Sequence, residues 1–200
     1  MRHLRLPLAG LLIALCGAPL AAAPSDQAKA ETQAPAQPVG RQKILDELFD
    51  RLAKAQDEFE AKGIEGAIER VWMRSGSDTA DLLMGRAMQA MTRKDYKLSL
   101  EVFDALIDLE PDWAEAWHKR ALVRFHADDE RGAMADLMQA LAREPKHLGA
   151  LTGIGSLMHR EGFDKGALVV LRRALEISPQ QETVRKLVEK LALEVEGREI

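Results

Sequence analysis

Cysteine and aromatic residues are scarce in this chain. Its 200 residues include one Cys, five Phe, three Trp and one Tyr. Because Cys16 lies in an apolar N-terminal run, no disulfide or thiol nucleophile is expected in the rest of the chain. No window alternates apolar and polar residues over six positions, as a half-buried strand would. Ala, Leu, Glu, Arg and Met lose little entropy in a helix, and their abundance predicts an all-α protein.

The chain also lacks an excess of positive charge. It has 28 Lys and Arg against 32 Asp and Glu, a formal net charge of −4, and the two signs are interspersed. A nucleic-acid-binding domain presents a basic patch or stripe to the phosphate backbone. We therefore expect no nucleic-acid partner.

The N-terminus has the pattern of a secretory signal. Arg2 and Arg5 precede an apolar run, and three Ala follow at 21–23. The run is broken by Pro and Gly and is shorter than the roughly 20 residues that a membrane-spanning helix needs. We expect residues 1–22 to be a cleaved signal peptide and the protein to be periplasmic. Retention of the segment as an inner-membrane anchor is the alternative, and it is the only membrane contact that the sequence predicts.

Residues 23–76 separate this signal from the rest of the chain. The segment 23–42 is rich in Pro, Ala and Gln and has too little apolar surface to offset the entropy lost on folding, so it is predicted as a disordered linker. Residues 43–76 are predicted as a helical hairpin, because apolar residues follow helical spacing on both sides of an interruption at 62–63. Ser77 is the expected N-cap of the next helix.

A repeat of 34 residues follows the hairpin. Three prolines with similar preceding sequences are spaced by this period: Pro111, Pro145 and Pro179. Placing each proline at the thirty-second position defines three units, 80–113, 114–147 and 148–181.

Small and large residues recur at fixed positions of these units. The eighth and twentieth positions hold small residues: Ala87, Ala121 and Gly155, then Ser99, Ala133 and Ala167. The fourth and twenty-fourth positions hold large ones: Leu83, Trp117 and Leu151, then Phe103, Leu137 and Leu171. Two helices approach closely only where small side chains meet, so each unit is predicted to be a packed helix pair.

This pattern resembles the tetratricopeptide repeat (TPR) family over 80–181, including exported bacterial TPR proteins. The resemblance implies an all-α fold, a right-handed α-solenoid of antiparallel helix pairs. Arg86 and Arg120 depart from it, because the family has Leu at this seventh position. An apolar stripe in residues 182–197 predicts a C-terminal capping helix. By the same reasoning the 43–76 hairpin is expected to cover the other end, with a degenerate fourth repeat as one interpretation.

The resemblance also implies a concave groove, lined by the first helix of each unit. The candidate partner-binding residues at its lining positions are Met84, Met88, Met91, His118, Leu122, Phe125, His126, Ser156, His159 and Arg160. Two interpretations of the three Met remain open. They form an adaptable hydrophobic peptide site, or they pack under the N-terminal hairpin.

The sequence offers little for catalysis. It has no His-Glu-x-x-His motif, and the stretch 153–156 lacks the third glycine and the lysine of a phosphate-binding loop. We expect no metal, no cofactor and no enzyme activity. The predicted function is a cell-envelope scaffold or adaptor that binds a protein or peptide in the groove. The alternatives are a structural subunit that docks through its convex face or its N-terminal hairpin, and an enzyme accessory module.

Overall fold

The computed structural model describes residues 39–197, so the predicted signal peptide and most of the predicted linker lie outside the described residues. This range contains nine helices and no strand. In chain order they are α1 (Val39–Leu52), α2 (Glu58–Trp72), α3 (Asp78–Thr92), α4 (Tyr96–Leu109), α5 (Ala114–His126), α6 (Glu130–Arg143), α7 (Leu148–Arg160), α8 (Asp164–Ile177) and α9 (Glu182–Val195). Each predicted unit holds one helix pair, and neighbouring pairs pack on one another. The predicted all-α solenoid is confirmed.

The packing inside each pair follows the small residues of the repeat. All six residues at the eighth and twentieth positions are buried. In the first unit the hydroxyl of Ser99 donates a hydrogen bond to the carbonyl oxygen of Ala87 at 2.8 Å, which joins α4 to α3 directly. In the third unit a Cβ added to Gly155 would lie 2.5 Å from Leu171, so α7 and α8 are in contact there without a side chain between them.

The turn inside each unit uses the same backbone conformation at the same position. Lys94, Asp128 and Gly162 are 34 residues apart, and all three have positive φ, at 61°, 60° and 80°. This left-handed conformation strains a residue that carries a Cβ, and glycine adopts it without that cost. Only the third unit has the residue that suits the turn.

The first unit leaves its end face open to solvent. In the second and third units, the residues at the third and tenth positions are buried against the preceding helix pair. In the second unit these residues are Ala116 and Val123. The corresponding residues of the first unit are Leu82, which is 56% exposed, and the exposed Gln89. No helix precedes α3 at this face among the described residues, and the exposed Arg86 beside it accounts for one departure from the family pattern.

A buried ion network accounts for the other departure. Arg120 takes the place of the usual Leu between the first and second units, and its guanidinium contacts Asp136 through two hydrogen bonds, of 2.7 and 2.8 Å. A third bond, of 2.7 Å, joins it to Asp104 on α4. The two carboxylates compensate the buried charge and hold adjacent pairs together.

At the C-terminus, α9 covers the last pair. Leu191 is fully buried, and Leu187 and Val188 pack with it against Leu168 and Leu171 of α8. The outer face of α9 carries Lys, Arg and Glu, so the end of the solenoid is polar.

The N-terminal hairpin differs from the sequence prediction at two boundaries. Residues 39–42, predicted as linker, form the first turn of α1. The two helices separate at 53–57 and not at 62–63, because Asp57 caps α2 by accepting a hydrogen bond from the Glu60 N–H at 2.8 Å. Gly63 lies inside α2, where an interior glycine costs only about 1 kcal/mol.

The hairpin also lies in a different place from the one predicted. It does not stack before α3 as a fourth repeat. Instead, α2 crosses the junctions between the units and meets the last residue of each one, namely Trp113, His147 and Gln181. The Trp113 indole donates to the Trp72 carbonyl at 2.7 Å, the ring of Trp72 stacks on His147 at 4.4 Å, and Gln181 donates to Glu65 at 2.7 Å. In this position the hairpin leaves the end face of the first unit uncovered by any described helix.

Candidate functional site

The methionine end of the predicted groove is part of the core. Met84 is 1% exposed, and it lies in a cluster of apolar side chains from α3, α4 and α5 that includes Phe103 and Trp113. Met88 and Met91 are half-buried against the same cluster. The interpretation as an open peptide site was therefore wrong for Met84, and Met73 at the end of the hairpin packs against the same buried cluster. The helix α5 lies close enough to α3 to bury Met84.

Four of the predicted residues line one apolar pocket between α5, α6 and α7. The pocket has a volume of about 190 Å³, and Leu122, Phe125, Ser156 and Arg160 surround it together with Leu137 and other apolar residues. Almost all of its surface is carbon. We call it the groove pocket.

Two details shape the groove pocket. The guanidinium of Arg160 lies 5.2 Å from the ring centre of Phe125 and forms an ion pair with Glu130. A Cβ added to Gly153 would lie 2.9 Å from Leu137, so the absence of a side chain there keeps the floor of the pocket open. Phe125 is 37% exposed, which leaves its ring accessible from the groove.

Two predicted histidines, His126 and His159, lie outside this pocket. The ring of His126 stacks on Tyr96 at 6.2 Å, and His159 Nδ1 lies 2.6 Å from the carboxylate of Asp164. Each ring therefore has a separate neighbour within the solenoid.

His118, the remaining predicted residue, belongs to a buried polar cluster at the junction of the second and third units. Glu115 on α5 is the centre of this cluster. Its carboxylate lies 2.9 Å from His147 Nε2, 3.0 Å from Lys119 Nζ and 3.4 Å from His118 Nδ1. Lys119 also contacts Glu69 of α2 at 2.7 Å. The cluster thus joins α5 to the start of α7 and to the N-terminal hairpin.

The contacts in the cluster set its charges. Burial alone would raise the pKa of the Glu115 carboxyl, but hydrogen bonds from His118 and His147 hold it well below its ordinary value. Burial lowers the pKa of His118, and the contact with Glu115 does not offset this effect. Burial also opposes the charge of Lys119, but Glu115 and Glu69 raise its pKa. The cluster is therefore a carboxylate and an ammonium ion beside a neutral His118.

Glu115, His118 and His147 come close enough together to suggest a divalent metal site, since one ligand atom from each lies within 4.8 Å of the others. The hydrogen bonds argue against this function. His147 Nδ1 accepts from the backbone N–H of Ala150 at 3.2 Å, so the ring proton is on Nε2, which donates to Glu115. That nitrogen has no lone pair for a metal ion, and the Lys119 ammonium already occupies the carboxylate. We interpret the cluster as a structural contact.

A larger cavity lies beside this cluster, between α2 and the first turns of α5 and α7. Its volume is about 370 Å³. We call it the interface cavity. Its walls include Glu65, Glu69 and Trp72 of α2, and His118 and Thr152 of the repeats. Sequence reasoning missed the α2 residues because it placed the hairpin at the end of the solenoid. The signal that could have located them is the recurring polar or aromatic residue at the last position of each unit.

Comparison with known proteins identifies the family. No family model matches the chain. A TPR repeat-containing protein of Rhizobium etli is 38% identical over 152 residues, which are 74% of this chain and 74% of that protein. The chain belongs to the TPR proteins. A small glutamine-rich TPR-containing protein of Mycosarcoma maydis is more distant, at 25% identity over 54% of this chain and 30% of its own length.

Solved TPR structures share the fold. The Yersinia enterocolitica type III secretion chaperone SycD, in complex with a peptide of the translocator YopD, superposes with a TM-score of 0.55 at 18% identity, covering 59% of this chain and 95% of SycD. The TPR2B domain of yeast Sti1, in a pHsp70 complex, has a TM-score of 0.53 at 18% identity and covers 59% of this chain and 99% of that domain.

In this TPR chain the concave groove is divided into two parts. The helix α2 covers the first turns of α5 and α7, where His118 and Thr152 would otherwise line the groove, and encloses the interface cavity. The later turns of the same helices remain open at the groove pocket. Gly149 lines both, so the two spaces are adjacent. Between residues 39 and 197, no helix has the length and apolar character needed to cross a membrane.

Proposed function

We propose that this TPR protein is a non-catalytic scaffold or adaptor of the bacterial cell envelope that binds a short segment of a partner protein in the open part of its groove. The observation that carries the proposal is the groove pocket. It is apolar, it is accessible through Phe125, and the first helices of the second and third units contribute most of its lining. SycD and the Sti1 domain were solved with peptide or protein partners, which supports the same use of this fold here.

The chemistry of the groove pocket suggests what it binds. Its volume of about 190 Å³ suits one large apolar side chain, and such a side chain buried in a pocket provides much of the affinity of many interfaces. Arg160 at the rim offers hydrogen-bond donors to the backbone carbonyls of the bound segment. We therefore expect a partner segment with a single Leu, Ile, Met or Phe as its anchor.

The non-catalytic part of the proposal rests on the hydrogen bonds in this pocket. Ser156 is the only hydroxyl among the residues that line it, and its Oγ donates to the carbonyl oxygen of Thr152 at 2.8 Å. A serine nucleophile needs a neighbouring base that accepts its proton, and the helix carbonyl cannot act as one.

The envelope part of the proposal rests on the signal pattern of residues 1–22. We propose export to the periplasm with removal of this segment, and an inner-membrane anchor is the second outcome to be tested. A fusion of the full chain to a phosphatase that is active only outside the cytoplasm tests export. Fractionation of the cells, together with the mass of the mature protein, separates a periplasmic protein from an anchored one. An inactive fusion would contradict both.

The binding proposal is tested by a matched pair of substitutions. Phe125→Glu places a charge at the groove pocket, and Phe163→Glu makes the same change at a Phe that is 63% exposed in the turn between α7 and α8. A photo-crosslinker at Leu122 identifies the partner segment in envelope preparations, and calorimetry with the corresponding peptide measures its affinity. We expect Phe125→Glu to reduce affinity at least tenfold and Phe163→Glu to leave it unchanged, with equal melting temperatures.

The same assay tests the alternative of docking through the convex face, which the second helix of each unit would form. Met138 on α6 is 59% exposed on a face away from the groove pocket lining. Loss of binding on Met138→Glu, with normal binding by Phe125→Glu, would replace groove binding with docking through the convex face.

A further inference from the structure

The interface cavity offers hydrogen-bond acceptors and has little positive charge of its own. Glu65 shows this most clearly. Its Oε1 accepts from Ser178 Oγ at 2.8 Å and from Gln181 Nε2 at 2.7 Å, and both donors are neutral. Within residues 39–197 no Lys, Arg or His nitrogen lies within ion-pair distance of its carboxylate, and Oε2 accepts no hydrogen bond. This half-buried carboxylate therefore has no ion-pair partner within the described residues.

The two lysines near the cavity are engaged elsewhere. Lys62 extends towards solvent, where its side chain is 68% exposed and pairs with Glu58 at 2.8 Å. The ammonium of Lys119 is shared between Glu69 and Glu115, at 2.7 and 3.0 Å. Neither cation forms an ion pair with Glu65, although the charge of Lys62 acts on it from a distance.

The wall opposite α2 also presents acceptors. The carboxylate of Glu115 can only accept, so the Nδ1 of His118 carries the ring proton and its Nε2 has a free lone pair. This nitrogen lies against Gly149, where an added Cβ would be 2.6 Å away. Thr152 Oγ1 donates to the Leu148 carbonyl, which leaves its lone pairs free to accept.

We propose that the interface cavity binds a basic side chain, Arg or Lys, from the same partner segment whose apolar anchor enters the groove pocket. The carboxylate of Glu65 lies on one side of the cavity, and the acceptors of His118 and Thr152 lie on the other. A guanidinium or ammonium ion carries several N–H donors, and these groups can accept hydrogen bonds from it. The shared wall at Gly149 makes the two spaces neighbours, so one extended segment reaches both.

This inference rests on the proposed function for the identity of the ligand, but its test does not require the partner. The probe is N-acetyl-L-arginine amide, and the control is N-acetyl-L-citrulline amide, which has a similar shape without the charge. Each is titrated into the full chain at pH 7, and amide NMR follows the indole N–H of Trp72, which lines the cavity. We expect saturable shifts with the arginine probe, with a Kd on the order of 1 mM for so small a ligand.

Two variants of the chain locate the binding. Glu65→Gln removes the negative charge of this carboxylate, and Glu189→Gln makes the same change at an exposed position on α9. We expect the first to weaken binding of the arginine probe at least tenfold and the second to leave it unchanged. Because Glu65 also holds the hairpin, Thr152→Val serves as a second test that removes an acceptor and leaves the contacts of α2 intact. It should weaken binding severalfold.

Three results would overturn the inference. The first is the absence of saturable shifts at tenfold the expected Kd, and the second is equal binding of the citrulline control. The third is saturable binding of free spermidine or of Zn²⁺ without binding of the arginine probe, which would assign the cavity to a polyamine or to a metal ion.

The two proposals fail in different experiments. If Phe125→Glu leaves partner affinity unchanged, groove binding fails, whatever the arginine titration shows. If the arginine titration shows no binding while Phe125→Glu abolishes partner binding, only the proposal that the cavity binds a basic side chain is wrong.

Discussion

Replacing Glu115 with Gln should destabilise the folded chain, because this carboxylate joins α5 to the start of α7 at a buried point. Its side chain is 1% exposed and contacts His147 at 2.9 Å and Lys119 at 3.0 Å. The amide oxygen of Gln can still accept from His147. The amide NH₂ group then faces the Lys119 ammonium and the His118 N–H. All three groups are hydrogen-bond donors, so none of them has an acceptor there.

The loss of stability depends on which contacts Lys119 keeps in the Glu115→Gln variant. Removing one member of a buried ion pair costs about 3–5 kcal/mol, because the other charge stays buried without its partner. Lys119 keeps its contact with Glu69 at 2.7 Å, although the Glu69 side chain is 56% exposed and solvent weakens the pairing. We therefore expect a loss near the lower limit, about 3 kcal/mol. For a domain of this size, such a loss corresponds to a decrease in Tm of about 6–12 °C.

Urea and thermal unfolding of the full chain, followed by far-ultraviolet circular dichroism, measure this loss at pH 7. Glu101→Gln on the exposed face of α4 is the matched control, and its stability should stay within about 0.5 kcal/mol of the wild type. A Glu115→Gln variant as stable as this control would refute the structural function assigned to the cluster.

The pH dependence provides a second check on the same variant. The pKa of Glu115 is held well below its ordinary value of 4.5 in the folded chain. A depressed carboxyl pKa stabilises the folded state fully above pH 4.5, and this stabilisation is lost as the pH falls through the folded pKa. The difference in free energy of unfolding between wild type and Glu115→Gln should therefore decrease below pH 4.5. A difference that grows in acid would contradict the assigned charges.

Two further predictions concern the repeat units and use the same unfolding measurements. Gly155→Ala should cost about 1–3 kcal/mol because its Cβ would lie 2.5 Å from the buried Leu171, whereas Gly85→Ala on α3, with no atom within 4 Å, should gain about 0.5–1 kcal/mol; equal effects would contradict the close packing of α7 on α8. Lys94→Gly should stabilise the chain by about 0.5 kcal/mol, because relief of the strained positive φ exceeds the entropy cost of glycine in the unfolded chain, and a lower Tm would contradict this prediction.

The repeat fold was predictable because its signal is local and periodic. The spacing of 34 residues located three helix pairs, and the small residues at the eighth and twentieth positions are all buried as expected. The hairpin boundary at 53–57 was also present in the sequence, since Asp57 and Glu60 have the spacing of a helix cap. The apolar stripe obscured it by continuing to Phe59, which is in fact 89% exposed.

The position of the hairpin could not be predicted in the same way. It depends on contacts between residues far apart in the chain, such as Glu65 with Gln181, that leave no periodic trace. The division of the groove and the interface cavity both follow from that position. Likewise, the sequence of a Met at a lining position is the same whether its helix is exposed to the groove or packed against another helix. The burial of Met84 depends on how closely α5 approaches α3, and that distance cannot be inferred from a single sequence.

The path of α2 across the three junctions also makes the docking of the hairpin depend on the last repeat unit. Glu65 is bonded to Ser178, 113 residues later, and the Ala55 carbonyl accepts from Gln180, 125 residues later. Closing loops of this length costs entropy, and folding of the intervening chain brings the two ends nearer to each other. The hairpin emerges from the ribosome before any repeat, yet it docks only when the third unit is complete. The hairpin therefore completes its contacts after the repeats, and its docking joins the two ends of the described domain.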